Sequence, residues 1–167
     1  MKIIKASLPL PPQRVKGVIP KSVFLAGSIE MGKAEDWQSQ VTGELKKLGC
    51  ECILNPRRDD WDSSWKQSVH EPQFNEQVSW EMTALDAAET ILMYLAPDTI
   101  SPISLLELGI YANSGKLIVS CPLDFYRRGN VEMVCERYQI PLFSGWRWAI
   151  LDKRFDFKSR KNESVIK

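Results

Sequence analysis

The chain has a single histidine, His70, and its four cysteines (Cys50, Cys52, Cys121, Cys135) form no Cys-x-x-Cys pair. A structural zinc site draws four Cys or His ligands from recognisable spacings, and none is offered here. The thiols read as reduced residues in or near a core, and neither a metal nor a cofactor is expected. An excess of one charge is also missing. The balance is 22 Lys and Arg against 21 Asp and Glu, a net charge of +1, which gives no field suited to polymeric nucleic acid or an acidic membrane. No apolar run approaches the ~20 residues of a membrane span. Residues 1–20 hold Pro9, Pro11, Pro12 and Pro20 but no apolar segment ending in small residues. They read as an extended, Pro-rich lead-in and not as a signal peptide, so a cytoplasmic location is expected. Gly-x-Gly-x-x-Gly and Walker patterns are absent as well, which removes the usual sequence signals of dinucleotide and P-loop sites.

What is present reads as one α/β domain. A chain of 167 residues can bury one real core and is short for two. Ser22-Val23-Phe24-Leu25-Ala26, closed by Gly27-Ser28, is a short apolar run typical of a strand buried on both faces. Residues 35–48 then carry Trp37, Val41, Leu45 and Leu48 at helical spacing before Gly49. A second strand over 51–54 stops at Asn55-Pro56. The polar loop at 57–72 is of a length that is functional or disordered in compact domains, and its tryptophans Trp61 and Trp65 argue against disorder. A helix over 75–88 leads to the most hydrophobic strand, 90–95. Ser101 stands at an N-cap position with Pro102 behind it, opening a helix that Gly115 closes. A strand at 117–120, a helix at 129–138 and a short strand at 140–143 complete the pattern. The tail over 152–167 is polar and basic and reads as frayed.

This alternation predicts a flavodoxin-like open parallel sheet of about five strands, with helices on both faces and right-handed crossovers. The expected division is an extension at 1–20, a domain at 21–148 and a tail at 149–167. Ligands in such sheets bind beyond the carboxyl ends of the strands. The candidate loops are therefore those after Ala26, Leu54, Leu95 and Ser120.

Glu107 is the leading candidate. It lies between Leu106 and Leu108 near the start of the helix that follows the most buried strand. Its side chain leans toward the strand ends, where the helix dipole favours an anion. A carboxylate in apolar surroundings needs hydrogen bonds or a task, although the spacing alone equally fits a half-exposed glutamate on an amphipathic helix. Glu81, on the preceding helix, is a second carboxylate, or else part of a solvated face. Asp86 near the end of that helix also fits a water-facing position. Asn55, Arg57, Arg58, Asp60 and Trp61 put fork donors, acceptors and an aromatic face side by side. They suit a phosphate and a stacked base, or an ion-paired surface loop. Arg128 and Asn130 open a helix in an arrangement that also suits an anion. Gly27 and Ser28 expose backbone amides at the end of the first strand.

These segments carry a family resemblance. Val23-Phe-Leu-Ala-Gly-Ser28, Asn55-Pro-Arg-Arg-Asp-Asp-Trp-Asp-Ser-Ser-Trp65, Asn75-Glu-Gln-Val78, Ser101-Pro-Ile-Ser-Leu-Leu-Glu-Leu-Gly109 and Arg128-Gly-Asn-Val131 resemble the nucleoside 2-deoxyribosyltransferase-like family over roughly residues 22–143. The resemblance implies that Glu107 attacks the anomeric carbon and that a glycosyl-enzyme forms. Where the well-studied enzymes carry an Asn-Asp pair, this chain has Trp80-Glu81. Where they carry an aspartate six residues before the nucleophile, it has Ser101, with Asp98 three residues earlier.

Cleavage and transfer at an N-glycosidic bond of nucleosides or nucleotides is the activity implied. Glu81 or Asp98 would orient sugar hydroxyls or move a proton, and a free base would be the second small-molecule partner. Arg57 and Arg128 suggest in addition a phosphorylated substrate. A homo-oligomer is expected from the same resemblance, with Tyr111, Trp146 and Trp148 as interface candidates. A hydrolase of nucleotide N-glycosides, an NAD-type glycohydrolase and a non-catalytic nucleotide-binding sensor remain as alternatives.

Overall fold

A computed structural model describes residues 1–13, 17–29, 34–59, 62 and 64–158. Six strands form one parallel sheet: β1 (Lys2–Lys5), β2 (Ile19–Gly27), β3 (Cys52–Asn55), β4 (Ala88–Tyr94), β5 (Leu117–Ser120) and β6 (Leu142–Phe143). Their spatial order is β1-β3-β2-β4-β5-β6. Without β1 this is the doubly wound flavodoxin-like order, in which the chain moves outward from β2 to β3 and then reverses through β4. The reversal makes the carboxyl ends of β2 and β4 the topological switch point.

The helices are α1 (Trp37–Lys47), α2 (Pro72–Ala87), α3 (Pro102–Tyr111), α4 (Arg128–Tyr138) and α5 (Trp146–Ala149). Strand residues alternate between the two faces of the sheet and so feed two cores. Phe24, Ala26, Ile91 and Met93 pack with Trp80, Leu85, Leu108, Val131 and Cys135 under α2, α3 and α4. Val23, Leu25, Leu92 and Ile118 pack with Trp37, Val41, Leu45 and Trp146 under α1 and α5. All four cysteines are buried, free thiols. Among the described residues, no helix is long and apolar enough to cross a membrane.

Three features differ from expectation. The sheet has six strands instead of about five, because Lys2–Lys5 pairs in register with Cys52–Asn55. The start of the presumed lead-in is thus an edge strand, with charged residues at both its ends. The central strand begins at Ile19 and contains Pro20, where the ladder to β4 shifts register between Ile19 and Val23; such irregularities are where a strand tolerates proline. At the other end, the tail is not frayed over 152–158. A 3-10 turn at Lys153–Phe155 delivers Phe155 and Phe157, both fully buried, into the α1 core. Apolar burial outweighs the basic character of the neighbouring residues.

Candidate active site

The switch point is built by close backbone approach. Gly27 pairs with Tyr94 at φ +132, and a Cβ on it would lie 2.0 Å from the Tyr94 carbonyl oxygen. Only glycine fits there. Next to it, three hydroxyls form a buried knot. Ser28 Oγ lies 2.8 Å from Thr99 Oγ1 and 2.5 Å from Ser101 Oγ, and Thr99 and Ser101 are 2.9 Å apart. Ser28 Oγ also accepts the Ala96 amide at 2.8 Å, while Trp37 Nε1 donates to the Ser28 carbonyl at 3.0 Å. Ser28 and Ser101 are thus engaged in tying the loop after β4 to the end of β2. Ser101 does occupy the N-cap of α3, but in the left-handed conformation at φ 46 and without a side-chain cap bond; its carbonyl accepts from Leu105.

On the α1 side of this knot lies a cleft of about 470 Å³ lined by Ala34, Glu35, Tyr94, Ala96, Pro97, Asp98 and Thr99. Asp98 is exposed there, at φ 58. A non-glycine residue held left-handed often marks a functional turn. Tyr94 Oη donates to Glu35 Oε1 at 3.3 Å.

Glu107 is not part of that cleft wall. It sits in the second turn of α3, half-buried, on the flank that meets α2. One turn further along, Tyr111 Oη reaches across to Asp86 Oδ1 at 2.8 Å and the Met82 carbonyl at 3.5 Å. This seam sets Glu107 near Glu81. Burial, and secondly the charge of Glu81, push the Glu107 carboxyl up to about 8. Burial raises Glu81 too, against the opposing hydrogen bond from Gln77. The helix dipole therefore does not govern Glu107: its influence is confined to the first turn, and desolvation dominates. Two half-buried carboxyls on facing helices, both resisting ionisation, are an arrangement suited to acid–base and nucleophilic work.

The three candidate arginines all have protein partners. Arg57 sends Nη1 to the Glu35 carbonyl and Gln38 Oε1, each at 3.4 Å, and Nη2 to the Ala34 carbonyl at 3.4 Å. Its backbone amide donates to Asn55 Oδ1 at 3.0 Å. Together they brace the entry to α1. Arg58 stacks 5.2 Å from the Trp65 ring centroid and lies 3.8 Å from Glu76 Oε2. Arg128 donates to the Cys121 carbonyl and, through Nε, to Glu132 Oε1 at 2.7 Å. Asn130 is exposed in the first turn of α4. Asp60 and Trp61 lie outside the described residues. Of the interface candidates, Trp146 is buried, Trp148 is exposed and Tyr111 is bound to Asp86.

Sequence reasoning singled out Glu81 and Glu107 separately but not the amide beside them. Gln77, four residues before Glu81, donates to Glu81 Oε1 at 2.7 Å and to the Pro56 carbonyl at 3.0 Å. The i,i+4 spacing on one helix was the available signal.

The fold is thus an α/β protein with a flavodoxin-like parallel sheet, a cleft at its switch point and a partly buried carboxyl pair on α2 and α3. The chain belongs to the nucleoside 2-deoxyribosyltransferase-like family, whose model matches residues 20–125, from β2 past β5 and including Glu81, Asp98 and Glu107. The family implies glycosyl transfer and small-molecule nucleoside substrates. No curated protein matches the chain.

Proposed function

We propose that the protein cleaves and transfers at the N-glycosidic bond of a nucleoside or nucleotide, with Glu107 as the nucleophile. The observation that carries this is the Glu81–Glu107 pair, in which burial holds the Glu107 carboxyl up to about 8. A desolvated carboxylate loses its charge when it bonds to C1′, so the cost of exposing that charge to a low-dielectric site is relieved as the bond forms. The sugar passes through an oxocarbenium-like state and is held as a glycosyl-enzyme, in the manner of retaining glycosidases. A second base, or water, then releases it.

Glu81 serves as the proton carrier. Asp98, on the wall of the cleft at the switch point, meets sugar hydroxyls or the base. Arg57, Arg58 and Arg128 hold protein partners, which favours a nucleoside over the phosphorylated substrate that their number suggests.

Base exchange tests this directly. A nucleoside incubated with a second free base yields the new nucleoside if the protein is a transferase, and only free sugar and base if it is a hydrolase. Glu107→Ala abolishes both; a variant that kept full turnover would end this mechanism.

Self-association belongs to the same proposal. Ile103, Leu106 and Ile110 form a stripe along α3, each about 60% exposed, at the i, i+3, i+7 spacing of a helix face. The stripe flanks Glu107, so a second copy docked on it would shield the carboxyl pair from water. Light scattering should give a mass above that of one chain, and Leu106→Glu should reduce it to the monomer. A wild-type protein that is monomeric at high concentration would exclude this assembly.

A further inference from the structure

Gln77 has no part in the chemistry described so far, yet its surroundings are unusually demanding. The residue is 5% exposed. One hydrogen of its Nε2 goes to the Pro56 carbonyl at the end of β3, 3.0 Å away, and the other to Glu81 Oε1, 2.7 Å away. Among the described residues its Oε1 is buried without a hydrogen-bond partner. A buried amide with an orphaned acceptor is uncommon and calls for a reason.

The Pro56 carbonyl supplies it. A carbonyl oxygen only accepts. The flipped amide would set Oε1 against that oxygen, lose its bond and add repulsion. The backbone at the end of β3 therefore fixes the amide with its donors outward, and the second donor faces Glu81. An oxygen that receives an N–H in this way is best occupied by the ionised carboxylate. Among the described residues Glu107 gains no hydrogen bond of this kind; it faces the charge of Glu81 across the α2–α3 seam and has Tyr111, bound to Asp86, one turn away on its own helix. The charged or titratable groups identified at the pair are thus Glu81 and Asp86 from α2 and Glu107 and Tyr111 from α3, with β3 contributing the Pro56 carbonyl.

We propose that Gln77 is a positioning residue that fixes Glu81 as the ionised member of the carboxyl pair, and so stores the pair's one proton on Glu107 until substrate is bound. This rests on the reading of Glu81 and Glu107 as the reacting pair, and it closes that reaction's proton balance. The stored proton passes from Glu107 to Glu81. An oxygen of Glu107 bonds to C1′ as the C1′–N bond breaks, and the electron pair leaves on the base nitrogen. Glu81 delivers the proton to that nitrogen. A carboxylic acid and a nucleoside thus become a glycosyl ester and a neutral free base, with no proton drawn from solvent. The second base reverses each step. Because, among the described residues, the hydrogen bonds of the Gln77 amide go to Glu81 and the Pro56 carbonyl, it acts by holding the ion and its orientation, not by contacting the reacting atoms.

The test is a carboxyl-carbon NMR titration of the full-length protein labelled at glutamate Cδ, with the two signals assigned through Glu81→Gln and Glu107→Gln. In the wild type the Glu81 carbon should titrate at lower pH than the Glu107 carbon. In Gln77→Met, which keeps the side chain's length but has no donors, the Glu81 midpoint should rise by about one pH unit or more, a roughly tenfold gain in proton affinity from losing a hydrogen bond to a charged group. The acid limb of kcat/KM against pH should move up with it, which a merely structural role for Gln77 would not produce. A wild-type order with Glu81 titrating above Glu107, or a Gln77→Met variant with both midpoints unmoved, would overturn the assignment. The wild-type order needs no variant of Gln77, so poor folding of Gln77→Met leaves the test intact. If the order and the shift are found while base exchange is absent at every pH, the proton assignment stands and the transfer chemistry falls.

Discussion

Replacing Glu107 with glutamine should stabilise the protein relative to the wild type by an amount that grows as the pH rises. In an unfolded chain the carboxyl titrates near its ordinary 4.5; in the fold, burial and Glu81 push it up to about 8. Between those values the folded state holds a proton that the unfolded state has released. Raising the pH therefore favours unfolding, and stability that is fully present below about 4.5 is lost progressively until about 8. At ~1.4 kcal/mol per pH unit the whole loss is at most roughly 5 kcal/mol, a large part of the stability of an ordinary domain. Glutamine has nearly the same shape and no proton to lose. The difference in unfolding free energy between Glu107→Gln and wild type should be smallest near pH 5 and grow in favour of the variant up to about pH 8.5. Urea unfolding followed by tryptophan fluorescence at intervals of pH measures it. The buried amide adds a constant offset, so the slope of the difference is the readout. A difference that stays flat across that range would mean that Glu107 titrates as an ordinary surface carboxyl.

Three further substitutions probe how the site is held. Gly27→Ala should cost roughly 3 kcal/mol or more, because the new Cβ would meet the Tyr94 carbonyl oxygen at 2.0 Å; a melting temperature equal to wild type would show that β2 and β4 are not so close. Ser28→Ala strips the Ala96 amide of its acceptor and removes both hydroxyl contacts of the knot. About 1–3 kcal/mol in denaturant unfolding should follow, and no measurable loss would show that the knot does not hold the loop after β4. Phe155→Ala should cost about 3–5 kcal/mol, since the ring is fully buried in the α1 core; a loss under ~1 kcal/mol would return the segment to the frayed tail that its composition suggests.

The parts of the fold that were legible in the sequence are those whose signals are local. β5 is bounded as expected at Leu117–Ser120, because its apolar run is bracketed by Gly115 on one side and Cys121-Pro122 on the other. α3 starts at Pro102, where proline's missing N–H is harmless. What escaped depends on distant partners. Lys2–Lys5 is four residues with charged ends, and it is a strand only because β3 presents a free edge to it. Phe155 and Phe157 lie among Lys153, Arg154 and Lys158, so composition hides the two rings that complete a core.

The site follows the same division. Glu107 and Glu81 stand out as carboxylates on apolar helices. Their nearness required the α2–α3 seam, which Tyr111 and Asp86 reveal only in three dimensions. Arg57 and Arg128 read as anion binders in the sequence; their bonds to the backbone carbonyls of Ala34, Glu35 and Cys121 were not legible there, because a carbonyl carries no signature in sequence. Ser28 and Ser101 suggested ligand contacts for a related reason: three small hydroxyls from two loops can equally bind one another.

The central claim is covalent, and mass spectrometry of the acid-quenched protein after exposure to nucleosides and nucleotides tests it. The account predicts one added pentosyl group on the peptide that contains Glu107, absent from Glu107→Ala. Turnover with no adduct on that peptide, or with the sugar found on the Glu81 peptide instead, would contradict it.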